Sequence, residues 1–284
     1  MKEFSLLHQD LNVHVYQSGS GAIPIVLLHG AGLDSALLSW AEVMSALPKQ
    51  YTAYAIDMLG YGKSDKPEGM AGERFYPTHL ACLKDVLSQL GLARFCLAGL
   101  SLGGAFAIGY ALLHPEQVAA LIPVDSWGLV SKTPYHAFYY WIVNSPMMKH
   151  SFRWVASSRW MAKWSIRSSL FGDAKKISDQ LVDEISALAA APHAEQAMLD
   201  YQASSISKTG VTPDYTARFG ELSMPVLFIN GEKDSLVPME AVRRASESVP
   251  NGALFVLKGC KHWAQKEQPE AFVRALDAFV QKNW

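Results

Sequence analysis

Apolar and polar side chains alternate over residues 11–17, the period of a strand with one wet face, which places this segment near the edge of a sheet. Six later segments, 23–28, 51–56, 95–98, 118–124, 226–229 and 253–257, are short and almost wholly apolar, as parallel strands covered on both faces are. Between them, residues 36–47, 76–90, 102–113, 239–249 and 269–280 carry apolar side chains at helical spacings of three and four. Strands alternating with helices predict an α/β fold: a mostly parallel central sheet with helices on both faces and function at the carboxyl ends of the strands. Residues 126–218 break the alternation, with helical patterns and prolines but no strand. The expected organisation is therefore a catalytic core formed by 1–125 and 219–284, with a helical cap inserted at 126–218.

Composition narrows the chemistry. With 284 residues, half of them hydrophobic, the chain can bury a large core. Its 25 basic and 26 acidic residues leave no field that would gather nucleic acid. Three cysteines, Cys82, Cys96 and Cys260, form neither a disulfide framework nor a metal-ligand spacing, and fit a cytoplasmic setting. The charged start of the chain does not read as a secretory signal. Residues 95–113 carry no Asp, Glu, Lys or Arg, but the glycines and the serine among them fit a buried strand, a sharp turn and a buried helix better than a membrane span.

That turn is Gly99-Leu100-Ser101-Leu102-Gly103, a G-x-S-x-G motif between an apolar strand and a helical pattern. Reversal within one residue forces the serine into a strained conformation and needs small neighbours so that strand and helix can approach. Ser101 is thus the candidate nucleophile, at the positive end of the following helix. A second turn, His29-Gly30-Ala31-Gly32, follows the strand 23–28. It offers an amide to a developing oxyanion beside that of the residue after the serine. Ala31 and Leu102 are assigned to that role, with Gly32 or Leu33 as substitutes for Ala31, while His29 reads as a structural hydrogen-bonding residue.

A serine hydroxyl needs a base, and of nine histidines His262 lies just beyond a late apolar strand and before the last helix. Asp234, just after the preceding strand, is the acid that orients it, giving the chain order Ser, Asp, His. Asp125, at the end of strand 118–124, is a rival acid, whereas Asp57, before Gly60-Tyr61-Gly62, reads as a residue that holds a loop.

With these motifs, from His29-Gly30 through Asp57-Met58-Leu59-Gly60-Tyr61-Gly62-Lys63-Ser64-Asp65 and the serine turn to Gly231-Glu232-Lys233-Asp234 and His262, the chain resembles the α/β-hydrolase superfamily over nearly its whole length. The resemblance implies an ester, lactone, amide or activated C–C bond as target, and neither cofactor nor metal. His262-Trp263-Ala264-Gln265 with Glu267 looks like the histidine region of hydrolases acting on ring-opened aromatic diketones, the meta-cleavage product group. Leu100 before the serine, where that group has asparagine, and a less glycine-rich oxyanion loop put a carboxylic ester of a small apolar or aromatic molecule in front. C–C hydrolysis of a dienol diketone acid, its carboxylate held by a cap arginine, is the alternative, and a non-catalytic ligand-binding role is the third reading.

Between residues 126 and 172 there are six cations, Lys132, Lys149, Arg153, Arg159, Lys163 and Arg167, no Asp or Glu, and five of the eight tryptophans. A solvated basic face over an aromatic core that also lines the substrate pocket is the expectation. A cation holding a substrate carboxylate and a membrane-surface helix are the other readings.

Overall fold

The computed structural model describes residues 1–133 and 135–284. Strands β1 (Lys2–His8), β2 (Leu11–Gly19), β3 (Ile23–Leu28), β4 (Tyr51–Ile56), β5 (Phe95–Leu100), β6 (Val118–Val124), β7 (Val226–Gly231) and β8 (Gly252–Leu257) form one sheet in the order β1-β2-β4-β3-β5-β6-β7-β8. β2 runs antiparallel to β1 and β4, and the remaining pairs are parallel.

The apolar segments fall where their pattern required. β5 and β6 are buried along their entire length, because helices cover both faces of the sheet. On one side α2 (Phe75–Gln89), α3 (Leu102–Leu113) and α9 (Met239–Ser248) enclose a core with Leu97, Phe106 and Phe228. On the other, α1 (Ala36–Ala46) and α11 (Pro269–Asn283) pack Trp40, Phe272 and Leu276 against Ile25 and Ile122. Each such aliphatic or aromatic side chain contributes about 1.5–3 kcal/mol on removal from water. The uncharged run 95–113 is β5, one turn residue and α3. No helix of the described residues is long and apolar enough to cross a membrane.

Residues 11–17 lie near the sheet edge as expected, in β2, but the edge strand β1 outside them was not foreseen. One expectation changes. β8 is not covered on both faces: it is the sheet's other edge, and Phe255 stands partly in solvent.

Between β6 and β7 the chain forms α4 (His136–Val143), α5 (Pro146–Ser157), α6 (Arg159–Ser165), a π-helical turn (Ile166–Leu170), α7 (Asp179–Ala190) and α8 (Gln196–Ser205). Among the described residues this segment adds no strand to the sheet. α10 (Ala264–Glu267) is a single turn after His262.

Candidate active site

β5 ends at Leu100 and α3 begins at Leu102, so the reversal falls on Ser101, at φ +50° and ψ −113°. This conformation costs a non-glycine residue roughly 1–3 kcal/mol and persists only where its surroundings hold it. Ser101 N donates to Val124 O (2.9 Å) and Trp127 N donates to Ser101 O (3.0 Å), so the strand end of β6 grips the turn from both sides. A side chain at Gly99 would strike the backbone of Gly103 and one at Gly103 would strike His29 O, which is why strand and helix meet only through glycine.

The second turn is built by buried polar groups. His29 Nε2 accepts the Met58 amide (3.0 Å), which leaves the proton on Nδ1, and Nδ1 donates to Gly30 O (2.8 Å). His29 is thus committed to the scaffold. Asp34, unremarked in the sequence, accepts Gly30 N (2.8 Å), Ser35 N (2.7 Å) and the Ser39 hydroxyl, fixing the loop's exit. Burial pushes the Asp34 carboxyl above its ordinary pKa, although these donors and the nearby His29 pull the other way. Asp57 holds a loop, as read: its carboxylate accepts Ala36 N (2.7 Å) at the start of α1 and Lys63 N (2.9 Å) beyond Gly62.

A Cβ placed on Gly30 would stand 3.5 Å from Ser101 Cβ, so this loop and the serine turn abut. Neither the Ala31 nor the Leu102 amide donates to an acceptor among the described residues, while Gly32 N–H faces the Tyr61 hydroxyl. Both amides are thus free to donate to a ligand.

At the far side of the sheet's carboxyl edge, His262 Nδ1 lies 2.8 Å from Asp234 Oδ2, with both side chains almost fully buried. Asp234 Oδ1 also accepts Leu236 N (2.7 Å) and Val237 N (3.2 Å). Burial alone would raise the Asp234 carboxyl, but the adjoining His262 and these amides outweigh it and hold the pKa below the ordinary value. An anion there keeps the His262 proton on Nδ1 and leaves Nε2 as a base. The ring is not hydrogen-bonded to Ser101 among the described contacts, and such bonds commonly tighten only with substrate bound.

The rival Asp125 does not pair with the imidazole. It is wholly buried, accepts Gly231 N (2.7 Å) and Ala264 N (3.4 Å), and has φ +42°. Burial, reinforced by the neighbouring Asp234 charge, pushes its pKa well above its ordinary value, which favours the neutral form. Its bridge between the loops of acid and base was missed, although its place at a strand end was the visible signal.

Glu267 secures the base from below. Its carboxylate accepts Gly172 N and Asp173 N (2.8 Å each) and Lys261 N (3.3 Å). Lys261 Nζ donates to the carbonyls of Arg167 and Ser168 (2.7 and 2.9 Å), and Trp263 N donates to Leu170 O (3.1 Å). The loop of His262 is thereby laced to residues 167–173 of the helical segment.

The aromatic expectation is corrected. Of the five tryptophans between 126 and 172 only Trp127 is buried; Trp141, Trp154, Trp160 and Trp164 face solvent. Tyr139 and Met198 pack instead against the core near the loops, and Met198 Sδ approaches Gly32. A groove of about 680 Å³ between α1 and α7 is lined by Leu38, Leu181 and Lys266 and contains neither Ser101 nor His262. Among the described residues no cluster of three His, Cys, Asp or Glu could hold a metal ion.

This arrangement can be set beside known proteins. The chain is 29% identical over 281 residues, 95% of its own length and 91% of the relative's, to a 2-hydroxy-6-oxononadienedioate/2-hydroxy-6-oxononatrienedioate hydrolase of Cupriavidus pinatubonensis. It is 25% identical over 271 residues (94% and 87%) to a 2-hydroxy-6-oxo-6-(2'-aminophenyl)hexa-2,4-dienoic acid hydrolase of Metapseudomonas resinovorans. Among solved structures, the 2-hydroxy-6-oxo-6-phenylhexa-2,4-dienoate hydrolase of Rhodococcus sp. strain RHA1 shares the fold with a TM-score of 0.82 at 22% identity, over 99% of this chain and 98% of that one. These proteins are named for dienoates and not for esters, which overturns the expectation of a carboxylic ester as target. The family model described as "Alpha/beta hydrolase family" matches residues 25–275, from β3 into α11, and the chain belongs to that family.

Proposed function

We propose that the chain hydrolyses a carbon–carbon bond in a ring-opened aromatic dienol diketone acid, a 2-hydroxy-6-oxo-2,4-dienoate. What carries the reading is that relatives aligned over 94–95% of the chain are named for this substrate class. The buried Asp234–His262 pair, the strained serine turn at Ser101 and the two uncommitted amides support it.

In this reading residues 126–218 cap the site, and the dienol first tautomerises, losing the 2-hydroxyl proton as C5 gains one, so that the resulting C2 ketone is an electron sink for the C5–C6 bond. His262 Nε2 takes the Ser101 proton as Oγ adds to C6, and the oxyanion lies against the amides of Ala31 and Leu102. Collapse breaks C5–C6; the electron pair leaves as a dienolate and takes the proton from His262. Water, deprotonated by the same imidazole, then releases the acyl group as a carboxylic acid.

The test follows the visible absorbance of ring-opened catechol products beside p-nitrophenyl esters, with Ser101→Ala as control. Rapid loss of the dienolate colour with wild type, at least about 10³-fold faster than with the control, is expected. Ester turnover with no dienolate consumption would overturn the reading.

A further inference from the structure

Large aromatic side chains left in water need an explanation, and this chain concentrates them on one segment. Tyr135, Phe138 and Trp141 around α4, Met147 and Trp154 on α5, and Trp160 and Trp164 on α6 are all exposed, from 50% at Met147 to 88% at Tyr135. Helical spacing sorts them into stripes. Phe138 and Trp141 are three apart, and Trp160 and Trp164 four apart, with Lys163 between them on the same face and Arg167 one turn further. The opposite faces bury Val143, Phe152, Ala162 and Ile166, and α5 and α6 both pack on α7. α5 and α6 also pack on each other, so their exposed stripes belong to one contiguous layer.

Charge selects the occupant. Lys132, Arg153, Lys163 and Arg167 are exposed on this segment, and no Asp or Glu occurs from 126 to 172. The Lys149 side chain lies outside the described residues. The nearest acids on α7, Asp179 and Asp183, are both taken up by Arg159. A second copy docked by twofold symmetry would set like charges against like with no acid to compensate. An anionic bilayer satisfies both features: its headgroups neutralise the cations, and its interface accepts tryptophan and tyrosine rings.

We infer that the exposed aromatic and basic faces of α4, α5 and α6 form a peripheral docking surface for anionic lipid membranes. The inference does not depend on which bond the site cleaves. The cap lies on the bilayer without crossing it.

The full chain is sedimented with phosphatidylcholine vesicles with and without phosphatidylglycerol, at low and high salt. Expected is co-sedimentation that rises with phosphatidylglycerol and falls with salt, with a blue shift of tryptophan emission. The variant Trp154→Ser/Trp160→Ser/Trp164→Ser should lose binding to both vesicle types. Lys163→Glu, which leaves every tryptophan in place, should weaken binding to phosphatidylglycerol vesicles by at least about fivefold. Both variants should unfold with the wild-type melting temperature. Wild type binding phosphatidylglycerol vesicles no better than phosphatidylcholine alone would overturn the proposal. So would a stable dimer in light scattering that requires the same tryptophans and ignores vesicles.

Discussion

Asp125 and Gly231 are joined by a 2.7 Å hydrogen bond between the ends of β6 and β7, three residues before Asp234. The accepting carboxyl is wholly buried and faces Asp234. Two carboxyls this close do not both ionise, and the imidazole on Asp234 decides which one carries the charge. The raised pKa of Asp125 favours its neutral acid form, which can donate to Asp234 while gripping its loop.

Asp125→Asn tests this, because an amide keeps both an acceptor for Gly231 and a donor for Asp234. In the unfolded chain Asp125 loses its proton near 3.8; in the folded chain its pKa is raised, so the folded state retains a proton the unfolded one has shed. That contribution to stability is complete below pH 3.8 and declines as pH rises toward the folded value, by up to about 1.4 kcal/mol per pH unit. The asparagine has no proton to lose. Thermal unfolding should show the variant gaining on wild type as pH rises above about 4. A difference in melting temperature independent of pH would refute the neutral acid.

Asp234→Asn should behave differently. The asparagine still fills the pocket but presents no anion to His262 Nδ1, so the imidazole loses its fixed tautomer and the stabilisation of its protonated form. We expect kcat to fall by about 10⁴ with KM changed little, read from steady-state kinetics on the dienolate. An equal fall in Asp125→Asn alone would move the catalytic acid to Asp125.

The serine turn, the strand ends that carry Asp234 and His262, and most strands were legible because each is written locally, in glycine spacing and apolar runs. β1 was not, since Lys2–His8 mixes charged and apolar residues as an edge strand exposed along most of its length does. The parts of Asp125 and Glu267 depend on amides up to 139 residues away, which no local pattern encodes. The tryptophans misled because helical spacing gives a face without saying whether that face looks inward or out. Bond specificity was misread for a related reason: Leu100 is one position, while the aligned relatives speak over nearly the whole chain.

Gly99→Ala should break the turn. Its Cβ would meet the carbonyl, carbon and amide nitrogen of the Gly103–Gly104 backbone, none of which can rotate away, so β5 and α3 must separate. A cost of about 3 kcal/mol or an insoluble product is expected. Gly220→Ala, with open space around the new methyl, should change stability by under about 1 kcal/mol. Equal melting temperatures for the two variants would show that the turn relaxes more easily than its geometry requires.

Glu267 offers the sharpest separation of anchoring from chemistry. Its two oxygens receive Gly172 N, Asp173 N and Lys261 N, and a side chain on Gly172 would strike Gly259 O, so the cap segment and the base's loop approach as closely as backbone allows. Glu267→Ala leaves three part-buried amides without an acceptor, at about 1–3 kcal/mol for each that water cannot reach. Glu267→Gln keeps one acceptor oxygen and should recover part of the loss. Because Lys261 and Trp263 flank His262, loosening this joint should lower kcat together with the melting temperature, in the order wild type, glutamine, alanine. An alanine variant that melts early yet retains wild-type kcat at low temperature would mean that Glu267 holds the cap but not the base.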